Sequence, residues 1–187
     1  LTGRPEILDL ARFFLDVRGK GERFDQVRPG PGYFSADVPV RETVSVEGHA
    51  VRALYLFAGA TDVAIEDGDA ELLARTEAVF ADLLATKTYV TGGMGARWDW
   101  EAFGDPYELT TDRGYAETCA AIGAIQWAWR LLLATGKPQY ADAIERLLFN
   151  AFLAGVSLAG TEFFYVNSLQ LRDGAKADEG RSIVHGR

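Results

Sequence analysis

The sequence is poor in the residues from which disulfide scaffolds, zinc fingers and nucleic-acid binders are built. A single cysteine, Cys119, in 187 residues excludes an internal disulfide and any multi-cysteine zinc finger. Two histidines, His49 and His185, exclude a site of three histidines. Lys and Arg number 19 against 27 Asp and Glu, so the net charge is -8 and no basic footprint exists for sequence-independent binding to nucleic acid. No apolar run reaches the roughly 18–20 residues of a membrane span. The first residues carry no signal peptide, and the expected compartment is the cytoplasm.

What is present points to a globular core. Hydrophobic residues make up 48% and charged residues 25%, which excludes disorder and collagen-like structure. Aromatics at 12% suit a large core or a cleft lined with rings. The opening Leu1-Thr-Gly-Arg-Pro5 reads as a turn between two helices, with Gly3 as a C-cap and Pro5 as a first helical residue. The chain is therefore expected to be part of a longer protein.

Hydrophobic spacing predicts five helices. The first covers 5–18, with Ile7, Leu10, Phe14 and Val17 at spacings of three and four. The second covers 46–60, with Val51, Leu54, Tyr55 and Ala58 on one face. The third covers 69–87. The fourth covers 115–134 and is apolar nearly all round, which argues burial. The fifth covers 138–156. Residues 162–169 alternate and read as a strand. Glycines and prolines make 19–44 a long loop, and 88–112 is another. Tyr89-Val-Thr-Gly-Gly-Met-Gly95 lacks the Lys-Ser/Thr of a phosphate loop and reads as a close approach of backbone.

A faint repeat runs through these elements. Thr2-Gly-Arg-Pro echoes Thr135-Gly-Lys-Pro, and Asp67-Gly-Asp is a weaker copy. Gly3, Gly68 and Gly136 lie 65 and 68 residues apart, room for two helices and one long loop. Helical hairpins repeated at this interval stack as a solenoid or close into a toroid. One long loop per unit favours the toroid, in which the loops gather at one end as a cleft. The expected fold is all-α: part of an (α/α) barrel of helical hairpins, with long loops and a short β segment near the C-terminus.

The densest polar stretch lies between Trp98 and Cys119, where Asp99, Glu101, Asp105, Glu108, Asp112 and Glu117 interleave with aromatic rings. Sugar-processing sites need this mixture, because rings stack on the apolar faces of sugars and a carboxyl group protonates the glycosidic oxygen. An acidic, solvated loop has the same composition. Glu117-Thr-Cys119 can present a carboxylate and a thiol to one metal only at a helix N-terminus or in extended backbone. The alternative is a cysteine packed as a small hydrophobe at the head of a buried helix.

Together these segments resemble glycoside hydrolase family 127, the β-L-arabinofuranosidases. The resemblance is carried by Gly48-His-Ala-Val-Arg52, Tyr89-Val-Thr-Gly-Gly93, Glu101-Ala-Phe103, Tyr115-Ala-Glu-Thr-Cys-Ala120, Leu148-Phe-Asn-Ala151 and Phe164-Tyr-Val-Asn167. It implies that residues 1–187 are an incomplete middle portion of an (α/α)6-barrel catalytic domain. It further implies a retaining hydrolase in which Glu101 is the acid/base, Glu117 and Cys119 are zinc ligands, and His49 and Tyr165 contact the sugar. The family's nucleophile is a zinc-bound cysteine from a Cys-Cys pair that this chain lacks. Trp98, Trp100 and Phe103 are the rings expected to shield Glu101 from water. The implied substrate is an arabinofuranoside, small or oligomeric, and a homodimer is the expected assembly. Two rival readings share the pattern: an (α/α)-barrel glycosidase or polysaccharide lyase without zinc, and a non-catalytic helical-repeat module that binds sugar or protein.

Overall fold

The structure is a computed structural model that describes residues 3–21, 28–170 and 183–185. Five helices carry it: α1 (Pro5–Val17), α2 (Ala50–Asp67), α3 (Ala70–Thr86), α4 (Thr118–Thr135) and α5 (Pro138–Arg146). Beyond α5 the chain continues through a π-helical turn, Leu147–Phe152, and a 3-10 turn, Leu153–Gly155. Two short strands, β1 (Glu162–Phe164) and β2 (Ile183–His185), pair antiparallel, with Phe163 opposite Val184. No helix among the described residues is long and apolar enough to cross a membrane.

The repeated Gly motif is a repeated hinge. Gly68 ends α2 at φ +64° and Gly136 ends α4 at φ +67°, and Gly3, two residues before α1, has φ +67°. Each is surrounded by open space, so what glycine supplies is the left-handed backbone and not room. Pro5 and Pro138 open α1 and α5, and the Asp69 carboxylate caps α3 by accepting the Leu72 N–H at 2.9 Å. The all-α expectation of stacked helical hairpins holds.

The core lies between α2 and α4. Ala50, Ala53, Ala58, Ala120, Ala121, Ala124 and Ala128 are buried and let the two helices approach closely. A Cβ on Gly123 would meet the Leu54 Cβ at 3.1 Å. Trp127 fills the centre, stacked on Phe57 at 5.1 Å and met edge-on by Phe80 of α3 at 4.9 Å. Phe80 in turn meets Tyr140 of α5, so α3 and α5 form an outer layer. α1 behaves differently from the stripe that predicts it. Ile7, Leu10, Phe14 and Val17 are all exposed, and Leu15 is the residue of α1 that enters the core.

Several boundaries differ from the sequence reading. α2 starts at 50 rather than 46, because Gly48 is left-handed, and it runs on to Asp67. Past 60 it carries the fully buried Thr61, whose hydroxyl is satisfied by donating to the Phe57 carbonyl at 2.8 Å. Tyr55, expected on the inner face, is exposed. α4 starts at 118 rather than 115, and it is not buried all round, since Gln126, Trp129 and Leu133 face outward. The strand expected over 162–169 is three residues long. The long loop 19–44 contains 3-10 turns at Pro31–Phe34 and Val40–Glu42, and residues 22–27 lie outside the described residues.

Candidate active site

Three loop segments converge where α2 and α4 begin. The first presses the 30s loop against the head of α2. Gly48 has φ +72°, and a Cβ there would lie 2.2 Å from the Gly32 carbonyl oxygen and 2.5 Å from that of Tyr33. Only glycine permits this approach. It lets the His49 N–H donate to the Tyr33 carbonyl at 3.1 Å, and the Phe103 N–H to the Gly48 carbonyl at 2.8 Å. His49 thus sits at the N-cap of α2, with the Tyr33 ring 5.7 Å away and the Arg52 guanidinium 5.2 Å from the centre of that ring.

The second segment carries Glu101. Arg97 and Ala102 exchange two backbone hydrogen bonds of 3.0 Å, closing a tight loop. Inside it Trp100 and Glu101 both have left-handed backbone, φ +62° and +53°. Two such residues in succession are costly and persist only where the surroundings hold them. The Glu101 carboxylate is gripped on both oxygens. Oε1 accepts the Tyr115 hydroxyl at 2.9 Å and the Tyr165 hydroxyl at 3.4 Å, and Oε2 lies 3.1 Å from His49 Nε2.

The third segment sets Glu117 and Cys119. Ala116 is left-handed at φ +39° and held from both sides. Its N–H donates to the Gly95 carbonyl at 2.8 Å, and its carbonyl accepts the Asn167 N–H and Nδ2, each at 3.2 Å. The Thr118 N–H donates to the Tyr165 carbonyl at 2.9 Å, which ties the chain after β1 to the head of α4 and brings in Tyr165. Glu117 is the extended N-cap of α4, so Cys119 sits in the first turn. That is the one helical setting in which a Glu-x-Cys pair can share a ligand. The glycines of 92–95 allow this close packing: a Cβ on Gly93 would meet the Ala116 Cβ at 3.2 Å.

Glu117 is 1% exposed, and neither of its oxygens completes a hydrogen bond among the described residues. Burial pushes its carboxyl up to about 7; the nearby Tyr165 hydroxyl pulls it down less strongly, the Glu101 charge adds to the rise, and the Cys119 thiol opposes it slightly. Burial, and then Glu117, also push the Cys119 thiol up. Burial lowers the His49 imidazole in spite of Glu101 beside it, so neutral imidazole is favoured. The Tyr115 and Tyr165 hydroxyls are raised, first by burial, and remain protonated.

One donor atom from each of His49, Glu101 and Glu117 lies within 4.8 Å of the others. Cys119 is not in that group. It faces Glu117 and Tyr165 from the helix side. Of the rings expected around Glu101, Trp98 and Trp100 are exposed, and Phe103 turns into the core instead. Trp100 rests edge-on against Tyr33 at 5.9 Å. Sequence reasoning did not single out Tyr115 or Tyr33. The spacing of Tyr115, two residues before Glu117 in one motif, was a usable signal for the first; Tyr33 carried none.

A buried carboxylate without a partner is expensive, and a cation is its natural complement. The carboxylate and the thiol facing it are both donor types that zinc accepts, so the residues present fit such an ion.

Stacked helical hairpins, with carboxylates, tyrosines and a histidine gathered at the heads of α2 and α4, define an α-helical domain with a polar cluster where its loops converge. The chain belongs to the β-L-arabinofuranosidase family: the model of the GH127 catalytic domain matches residues 1–184. A non-reducing end β-L-arabinofuranosidase of Bifidobacterium longum is 34% identical over 184 residues, covering 90% of this chain and 28% of that protein. The solved GH127 β-L-arabinofuranosidase of Geobacillus stearothermophilus T6 superposes with a TM-score of 0.87 at 32% identity, over 96% of this chain and 30% of that one. A second solved structure, described as a GH127 β-arabinofuranosidase, gives 0.83 at 43% identity, over 90% and 26%. The chain thus spans less than a third of the length of each.

Proposed function

We propose that these residues are the middle portion of the catalytic domain of a retaining, zinc-dependent β-L-arabinofuranosidase, with Glu101 as its acid/base. The observation that carries this reading is the Glu101 carboxylate, held on both oxygens by Tyr115 and His49 beside the buried carboxylate of Glu117, whose oxygens complete no hydrogen bond among the described residues.

Glu101 gives a proton to the glycosidic oxygen as the bond to the leaving group breaks, and in the second half of the reaction takes one from the attacking water. His49, neutral and fixed at the head of α2, and Tyr165 offer hydrogen bonds to sugar hydroxyls. Glu117 and Cys119 would hold the zinc, which supplies positive charge that favours thiolate near neutral pH. By the family resemblance the nucleophile is a cysteine outside the 187 residues. The chain described here contributes the proton, part of the sugar site and part of the metal site.

The test is hydrolysis of a β-L-arabinofuranosyl disaccharide by the whole protein. Glu101→Gln is expected to cost roughly 10²–10⁴-fold in kcat, the usual worth of general acid–base help. Near-normal turnover by that variant would overturn the assignment. Binding without turnover by the unaltered protein would favour the non-catalytic module.

A further inference from the structure

We propose that Tyr115 is a positioning residue for Glu101, its hydroxyl holding the carboxyl in the orientation from which the proton is delivered. This rests on the reading of Glu101 as acid/base and adds to it a residue outside the set named so far for acid, sugar and metal.

The argument is one of unequal rigidity. Glu101 sits in a tight turn of left-handed backbone, and its side chain is 35% exposed, so the groups that bond its carboxyl, and not close packing, set its orientation. Tyr115 sits on a frame fixed from several directions. Its N–H donates to the Ala96 carbonyl at 3.3 Å, the adjacent Ala116 is held by Gly95 and Asn167, and its ring packs edge-on against Tyr165 at 6.1 Å. The restraint therefore runs from the tyrosine to the glutamate.

The three groups that touch Glu101 are not equivalent. Tyr165 reaches it at 3.4 Å and also faces Glu117 and Cys119, and His49 takes the other oxygen. The Tyr115 hydroxyl bonds at 2.9 Å and, among the described residues, to Glu101 alone. By donating to Oε1 it leaves Oε2, on the His49 side, as the oxygen to carry the transferable proton. A misplacement of about 1 Å at a reacting group costs on the order of 10²-fold, and loss of a supporting hydrogen bond commonly costs 10–100-fold.

The experiment uses the whole protein, with Tyr115→Phe and Glu101→Gln each assayed on two substrates. One is a β-L-arabinofuranosyl disaccharide, whose sugar leaving group needs the proton. The other is a p-nitrophenyl arabinofuranoside, whose leaving group does not. Tyr115→Phe is expected to lower kcat/KM on the disaccharide by on the order of 10²-fold, with melting temperature and bound metal unchanged and kcat/KM on the aryl substrate, which reports the first step alone, nearly unaffected. Equal losses of kcat/KM on both substrates would mean a merely structural role, and no loss of kcat/KM on the disaccharide would mean no role; either overturns the proposal. If Glu101→Gln shows the leaving-group dependence and Tyr115→Phe does not, the Tyr115 proposal fails alone. If Glu101→Gln lacks it, the acid/base reading fails and takes this proposal with it.

Discussion

Thr61 shows how a polar residue comes to lie at the centre of an apolar core. Its hydroxyl donates to the Phe57 carbonyl and accepts the Trp127 indole N–H at 3.0 Å, so both buried groups are satisfied by one oxygen. Thr61→Val keeps the shape and strands the indole N–H, and is expected to cost about 1–3 kcal/mol, read by urea denaturation. A change under about 0.5 kcal/mol, the range of inert surface substitutions, would contradict this role. At the same scale the candidate site was only partly legible. His49, Glu101, Glu117 and Tyr165 do meet, though periodicity could not have joined positions so far apart in the chain; the motif resemblance did. Cys119 was expected as a zinc ligand beside Glu117; it lies near that carboxylate but outside the cluster of His49, Glu101 and Glu117. His49 and Glu101 also crowd that carboxylate, an encounter made by loop geometry. Composition suggested rings around Glu101 but could not say that Phe103 would turn inward while Trp98 and Trp100 stay exposed.

At the scale of elements, glycine does two different jobs, and substitution separates them. Gly68 needs only left-handed backbone, so Gly68→Ala is expected to cost about 1–2 kcal/mol. Gly48 needs that conformation and also space against two carbonyl oxygens, so Gly48→Ala is expected to cost more than this and to displace His49. Equal losses of stability in the two variants would refute the distinction. The hairpin hinges were readable because their chemistry is local. The starts of α2 and α4 were not. Val46 is buried in a loop and mimics a helical position, and Ala116 would suit a helix but is held left-handed by Gly95 and Asn167. The loop after Arg97 gives a pH prediction. Arg97, then the Asp105 N–H, hold the Glu108 carboxyl below its ordinary value of 4.5. A depressed carboxyl stabilises the fold above the unfolded value and loses that contribution as pH falls through the folded one. Stability is therefore expected to drop below about pH 4.5, and Glu108→Gln to flatten that drop. An identical acid profile in the variant would count against it.

For the molecule as a whole, the hairpins and their hinges were legible, whereas the path of the loops that assemble the site was set by contacts between distant segments. The chain spans 28% of the Bifidobacterium longum relative it matches. Taken alone, the 187 residues are expected to hydrolyse no arabinofuranoside, because the proposed nucleophile lies outside them. Hydrolysis by the pure chain, abolished by Glu101→Gln, would place the chemistry elsewhere. The central claim is that the whole protein is a zinc-dependent glycosidase in which Glu117 and Cys119 serve the metal and Glu101 the proton. The most direct measurement follows zinc content and hydrolysis of a β-L-arabinofuranoside together as the whole protein is dialysed against a chelator and then given zinc back. Activity is predicted to fall in proportion to a single zinc lost, to return with it, and to be absent in Glu117→Gln and Cys119→Ala variants that hold none. Full activity in protein shown to be free of metal would contradict the account.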